Sequence, residues 1–479
     1  MSVPNVLLIV LDTARSRTVL SGLESGLMPA MKRVADEGTV YTNASSVAPW
    51  TLPSHASIFT GQYTSDHGTH ANSREFTPSV SPLAEQLSQR GYRTAGISAN
   101  PWISPVFGFD RGFEDFSMRW NAGWSEVDLT AAVRADSLVE KIKALWEQSS
   151  VASFPSVMFS AIKRKMSSEA DDGAKRITNR AVNWMKQVNQ KNVPFFLFLN
   201  YIEPHLPYRP PREFVEAQLP DIAVERIAET NQDPWAYIAG TIEMDENDFK
   251  ILRGLYRAEL AYLDTQLSRL FQVLKDEGIL EETMIVIVGD HGENIGEHGL
   301  MDHQYCLYET LLNVPLIIRF PKRFDADTCD DLIETRDLYP TLLDAAGVST
   351  DTLPATVSKT PLPRQSREYV FAQYITPQPS MDSLKGKVGS NVPTQRLDRS
   401  IQSVRDKHWK YIEYSDGSTE LFDLTVDQYE SNECGEDVER QDHFSSILDE
   451  KFDAIQSHES DSVEIDGESR QRLKDLGYI

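Results

Sequence analysis

The amino-acid sequence predicts an α/β fold: a mostly parallel sheet sandwiched by helices, with a small C-terminal antiparallel sheet. Three observations carry this. Continuous apolar runs recur at Asn5 to Leu11, Thr94 to Ser98, Val193 to Asn200, Met284 to Gly289 and Val314 to Phe320. Helix-like patterns lie between them, and from about Arg367 the pattern changes to alternation. Apolar runs without alternation belong to strands buried on both faces, and strands interleaved with helices build a parallel sheet covered on both sides.

Taken in order, Asn5 to Leu11 is a short apolar run with no charged region ahead of it and no cleavage site behind it, so it reads as a first buried strand. Met28 to Glu37 and Leu83 to Arg90 follow as helices, then the strand at Thr94. Arg176 to Gln190 leads into the strand at Val193, and Asp248 to Glu277 leads into the strand at Met284. Asp337 to Ala346 closes this series as a helix after the run ending at Phe320. Ser403 to Tyr414, the turn residues Asp416-Gly417 and the run Glu420 to Leu424 read as a hairpin. Val151 to Met166, with Lys163, Arg164 and Lys165 near its end, reads as an exposed amphipathic helix or cap in preference to a membrane anchor. The expected division is a large α/β domain, residues 1–365, and a C-terminal subdomain, residues 366–479, holding the small sheet and an acidic helical tail.

Composition excludes some functions. The chain has 72 acidic and 47 basic residues among 479, a formal charge of -25 that repels nucleic acid and anionic membranes. The acids are scattered, as on a solvated surface. No stretch approaches the roughly 20 apolar residues that span a bilayer. Cys306, Cys329 and Cys434 show neither disulfide-framework nor zinc spacing, and cytoplasmic residence is the default expectation.

Chemistry concentrates where strands end, the edge at which open α/β sheets bind ligands. Asp12 ends the first strand, Asp290-His291 ends the strand at Met284, and Tyr201 to Tyr208 follows the strand at Val193. A carboxylate beside an imidazole suits a borderline divalent cation, although Asp-His-Gly can also be a turn with a capping Asp and a permissive Gly. Thr51, about forty positions after Asp12, stands before Pro53 in Trp50-Thr51-Leu52-Pro53-Ser54-His55; its bland reading is a helix cap.

Together these residues resemble the alkaline phosphatase superfamily, and its sulfatase branch in particular. The resemblance covers roughly residues 4 to 350 and includes Ser54 to Gly61, Glu203-Pro204-His205-Leu206-Pro207-Tyr208, Glu297-His298-Gly299, Tyr308-Glu309, Val314-Pro315-Leu316 and Asp337 to Leu342, in order. Weaker matches, Trp409-Lys410-Tyr411 and Glu420 to Leu424, resemble the terminal sulfatase sheet. The resemblance implies residues 1–365 as a sulfatase-like catalytic domain and a metal site of Asp12, Thr51, Asp290 and His291. Sulfatases carry Cys or Ser in C/S-x-P-x-R and oxidise it to formylglycine; here Thr51 and His55 take the places of the Cys or Ser and the Arg. Other members of the superfamily attack with an unmodified Thr or Ser, so Thr51 is the expected nucleophile. Thr13 replaces a second Asp. With His291 in the set, the expected cofactor is one divalent ion, Mn or Zn in preference to Mg or Ca.

His205 and His303 are the candidates for contacting ester oxygens or protonating the leaving group, with His298 a competitor; each has a structural alternative. Arg15 matches the family's D-x-x-R spacing and can bind the transferred oxyanion or pair with an acid. The expected function is cleavage or transfer of a phosphate ester group through Thr51. The alternatives are a sulfuric ester hydrolase without formylglycine and an inactive sulfatase-like binding protein. The expected substrate is a small-molecule, glycan or lipid-headgroup ester. Trp120, Trp124, Trp146 and Trp235 read as core anchors, or as the lining of a sugar or nucleoside pocket.

Overall fold

All the apolar residues of Asn5–Leu11 are buried, which only the centre of a sheet permits, and this strand, β1, is the axis of the molecule. The structure is a computed structural model that describes residues 3–118 and 173–452, except 192, 360, 364–366 and 390–393, together with 467, 470, 471 and 473. The remaining strands of the main sheet are β2 (Thr39–Tyr41), β3 (Arg93–Ser98), β4 (Asp115–Met118), β5 (Phe195–Tyr201), β6 (Thr283–Gly289), β7 (Leu316–Arg319) and β8 (Asp327–Cys329). Their order across the sheet is β8-β2-β7-β6-β1-β5-β3-β4. β1 pairs in parallel with β5 and β6, and β3 pairs in parallel with β4 and β5. β7 runs against both β6 and β2, so one reversed strand interrupts the parallel set.

Successive side chains of the strands alternate between two cores. Val6, Leu8 and Val10 join Phe196, Phe198, Val286 and Val288 on one face. Leu7, Ile9 and Leu11 join Leu197, Leu199, Ile285 and Ile287 on the other. The first face is covered by α3 (Thr51–Thr60), α4 (Leu83–Gln89) and α7 (Leu338–Ala345). The second is covered by α1 (Ser16–Ser25), α2 (Pro29–Asp36), α5 (Ala174–Asn189) and the long α6 (Glu246–Asp276). A capping box opens α6, with Asp245 accepting from Asn247 N and Asp248 N while Asp248 accepts from Asp245 N. Asp264 of α6 accepts from Ala30 N and Met31 N at 2.9 and 2.8 Å, supplying to α2 the cap that Met28 cannot.

The C-terminal sheet has four antiparallel strands: β9 (Val370–Tyr374), β10 (Ile401–Arg405), β11 (Trp409–Tyr414) and β12 (Thr419–Asp423). The run expected from Ser403 to Tyr414 is two strands joined by a tight turn. Asp406 accepts from His408 N and Trp409 N at 2.7 and 2.6 Å, an Asx turn that a period of two does not reveal. α8 (Val438–Lys451) packs Phe444 and Leu448 on Val404, Tyr411 and Leu421. Tyr374, Ile401, Ile412 and Phe422 enter the same core as β1, so this sheet is docked firmly on the larger body.

Ion pairs also cross that junction. Lys410 on β11 reaches Glu309 at 2.8 Å and Glu430 at 2.9 Å, and Arg405 also pairs with Glu309. Asp337, ahead of α7, pairs with Arg367 at 2.7 Å, and Glu334 receives the Tyr63 hydroxyl at 2.7 Å. Among the described residues no helix is long and apolar enough to cross a membrane. Trp120, Trp124, Trp146 and the segment Val151 to Met166 lie outside the described residues. Trp235 is buried, its ring edge-on to Tyr305.

Candidate active site and metal centre

Strand ends and one helix start converge on a single point. Asp12 leaves β1, Asn100 follows β3, Asp290 and His291 leave β6, and Thr51 is the first residue of α3. All five are fully buried. Asp12, Asp290 and His291 each offer a ligand atom, and these atoms lie within 4.8 Å of one another. Thr51 Oγ1 is 3.2 Å from His291 Nε2 and accepts from Asn100 Nδ2 at 3.3 Å. The structure therefore brings Asp12, Thr51, Asp290 and His291 together.

Local chemistry fixes each group. His291 Nδ1 lies 2.9 Å from Gly292 O, to which it donates as the N–H tautomer, leaving the Nε2 lone pair facing Thr51. Asp290 Oδ1 accepts from His291 N at 2.9 Å and Thr13 N at 3.3 Å. Thr13 takes the left-handed conformation, φ 57, and its carbonyl accepts from the Tyr256 hydroxyl at 2.8 Å. Gly292 is required by close approach: a Cβ there would lie 2.0 Å from Thr310 O. His55, one turn into α3, donates from Nδ1 to Thr51 O at 2.9 Å and stands 3.4 Å from Asp290 Oδ2. Ser54 Oγ donates to Asp290 O at 2.7 Å, fastening α3 to the end of β6.

The electrostatics call for a cation. Burial raises Asp12 to about 7, although the Asn100 hydrogen bond pulls the other way. Burial, and next the Asp12 charge, raise Asp290 well above the usual carboxylate range. Burial holds His291 far below its ordinary value and His55 down to about 4, so both rings are neutral. Asp12 Oδ1 and Asp290 Oδ2 are buried without a hydrogen-bond partner. Two facing carboxylates, a neutral imidazole and a hydroxyl are a donor set that fits a divalent ion.

The other predicted residues fall into three environments. His303 lies with its ring 4.5 Å from that of His291 and 5.1 Å from that of His205, and its Nδ1 contacts Asp302. Arg15 pairs with Glu297 at 2.8 Å, and its backbone N–H donates to Tyr256. His298 stacks on Tyr308 with ring centroids 3.7 Å apart and is not among the donors gathered around Thr51. In Glu203-Pro204-His205-Leu206-Pro207-Tyr208, Glu203 accepts from Ala174 N at 2.8 Å at the start of α5, and the Tyr208 hydroxyl donates to Glu293. Sequence reasoning missed Asn100 and Asp302. Asn100 carried a signal, its place just past the strand ending at Ser98; Asp302-His303 repeats the Asp-His dipeptide of 290–291.

Residues 4–348 match the sulfatase family model. The chain belongs to the sulfatase family. This sulfatase-family enzyme is 26% identical to arylsulfatase K of Bos taurus over 479 aligned residues, covering 94% of this chain and 81% of that protein. Its fold superposes with a TM-score of 0.65 on the phosphonate monoester hydrolase of Agrobacterium radiobacter, at 18% identity and 94% coverage of both chains. The same TM-score, 0.65, relates it to a protein solved with its substrate D-glucosamine-2-N,6-O-disulfate, at 19% identity, covering 100% of this chain and 99% of that one.

Proposed function

We propose that this sulfatase-family enzyme cleaves or transfers a phosphate ester group with Thr51 as nucleophile. One observation carries the reading: the Thr51 hydroxyl stands 3.2 Å from His291 Nε2, beside the buried Asp12–Asp290 pair, at the N-terminus of α3. A helix N-terminus favours developing negative charge there. A divalent cation held by Asp12, Thr51, Asp290 and His291 supplies Lewis acidity, which lowers the proton affinity of the hydroxyl and offsets the carboxylate charge. The nitrogen ligand favours Mn or Zn.

Thr51 Oγ gives its proton to solvent water and bonds to phosphorus as the bond from phosphorus to the leaving oxygen breaks. His303, whose Nδ1 contacts Asp302, gives that oxygen a proton, and His205, which burial holds down to about 4, contacts the ester oxygens as a neutral ring. Water or an acceptor alcohol then bonds to phosphorus as the bond to Thr51 breaks, and the proton it loses returns to the Thr51 oxygen. Arg15 contributes by holding Glu297 beside this edge and by bonding through its backbone to Tyr256. Small-molecule, glycan and lipid-headgroup esters are the substrate classes.

A second reading, a sulfuric ester hydrolase that works without formylglycine, is supported by family membership and by the names of its relatives. Hydrolysis of matched aryl phosphate, bis-aryl phosphate and aryl sulfate with Mn, Zn, Mg and Ca separates the two. Phosphate-ester turnover that falls by roughly 10³-fold or more in Thr51→Ala is expected. Preferred sulfate turnover, or phosphate turnover that survives in Thr51→Ala, overturns the first reading.

A further inference from the structure

Arg74 differs from the buried arginines. Arg15, Arg319, Arg336 and Arg405 are buried, and each pairs with a carboxylate, that of Glu297, Glu37, Glu334 and Glu309 respectively. Arg74 is half-buried, and among the described residues no carboxylate pairs with it. Its Nε donates to Ala71 O at 2.8 Å, and its Cζ lies 5.4 Å from the centre of the Trp102 ring. Burial draws its pKa down from the ordinary arginine value, with no carboxylate acting in the opposite direction. The Trp102 face offsets part of that desolvation, and the rest is left for a counter-charge.

Position ties this cation to the Thr51 centre. Trp102 N donates to Asn100 Oδ1 at 2.9 Å, and Asn100 Nδ2 donates to Thr51 Oγ1 at 3.3 Å. The Trp102 ring is edge-on to that of Trp50, the residue before Thr51, with centroids 5.6 Å apart. Residues 70–73 close a turn in which His70 N donates to Ser73 O at 2.9 Å and Ser73 N to His70 O at 3.0 Å, which fixes the backbone that carries Arg74.

A guanidinium that lies over an aromatic ring uses its face there and keeps its edge, the fork of N–H donors that matches an oxyanion. In a chain of formal charge -25 such a fork is also a local attraction for an anion. We propose that Arg74, seated on Trp102, receives a second oxyanion of the substrate, so that the ester cleaved at Thr51 carries a carboxylate, sulfate or phosphate elsewhere on its organic part. The proposal rests on the Thr51 reading and deepens it by naming the substrate class. Arg74 sets specificity and takes no part in the bonds made and broken.

The test is calorimetric titration of the full chain, equilibrated with Mn²⁺, with non-reacting probes: phenylphosphonate, and phenylphosphonates that carry a 4-carboxyl or a 4-(2-carboxyethyl) group. Native protein is expected to bind at least one carboxyl probe about 10-fold or more tighter than phenylphosphonate. In Arg74→Gln that ratio should fall to about one, and Arg74→Lys, which keeps the charge and loses the fork, should give an intermediate ratio. Ratios taken within one variant cancel any general change in the site, and thermal unfolding establishes that each variant is folded. Equal affinities in native protein overturn the proposal, and so does a preference that persists in folded Arg74→Gln. Equal affinities together with ester turnover that Thr51→Ala abolishes remove the subsite and leave the Thr51 reading intact. Native protein that binds no probe and turns over no ester overturns both.

Discussion

Asn100 Nδ2 donates to Asp12 Oδ2 at 2.5 Å and to Thr51 Oγ1 at 3.3 Å, so one amide ties the end of β1 to the start of α3. Its Oδ1 is engaged in turn by Trp102 N at 2.9 Å, which fixes which end of the amide faces the site. A donor held in place by its own neighbours is preorganised for charge on the Thr51 oxygen.

Asn100→Ala is therefore expected to lower kcat by roughly 10²-fold with a smaller change in KM. The lost hydrogen bonds should also cost about 1–3 kcal/mol of stability. Steady-state kinetics on the preferred ester and urea unfolding measure the two effects. A kcat equal to that of native protein would remove Asn100 from the site.

The facing Asp12 and Asp290 carboxylates make the folded state sensitive to metal. Chelation is expected to lower the Tm, and restoring Mn²⁺ or Zn²⁺ at about 100 times Kd should return about 2.7 kcal/mol. Asp290→Asn should flatten this response. Thermal unfolding across a metal titration decides the matter, and an unchanged Tm in native protein counts against a cation in the centre.

His67 should make the protein acid-sensitive. Its Nδ1 accepts from Thr69 N at 3.0 Å, so the proton sits on Nε2, which donates to Ser57 Oγ at 3.1 Å. Protonation would set two N–H groups against each other, and burial first, then His70, push the ring down to about 3. The unfolded chain takes up this proton near 6.5, so the stability His67 contributes is complete above that pH and declines as pH falls towards about 3. His67→Asn, tested by urea unfolding at a series of pH values from 7.5 downwards, is expected to show a shallower loss than native protein. Parallel curves would refute the assignment.

Lys410 is a buried cation that joins the terminal sheet to the main body through Glu309 and also pairs with Glu430 of the terminal part. Lys410→Met leaves two buried carboxylates short of a partner and is expected to cost roughly 3–5 kcal/mol. Limited proteolysis should then cleave first within residues 366–452. A loss below about 1 kcal/mol would mean that the apolar packing and the Arg405–Glu309 and Arg367–Asp337 pairs hold the sheet without Lys410.

The main sheet was legible because burial on both faces writes itself into composition. Val6 to Leu11 and Met284 to Gly289 have no polar position at which to face water, and both belong to central strands. β2 escaped detection because three residues carry no periodicity, and its place beside β7 depends on pairing with distant chain. That Asp12, Asp290 and His291 would lie near one another was legible because each follows a strand, and the ends of parallel strands share an edge.

What the order of residues could not supply is distance. Tyr308-Glu309 and Trp409-Lys410-Tyr411 were separate motifs until the fold placed Lys410 against Glu309. Arg15 had two open partners, and the fold places its guanidinium on Glu297. His205 and His303 were two isolated imidazoles; the left-handed turn at Asp302 and the loop after β5 bring them side by side. Local sequence determines which segments are buried and where they stop, since those depend on each residue's own chemistry. Which polar groups then share a buried volume depends on loop closure and strand pairing over more than a hundred residues, and only the tertiary structure decides it.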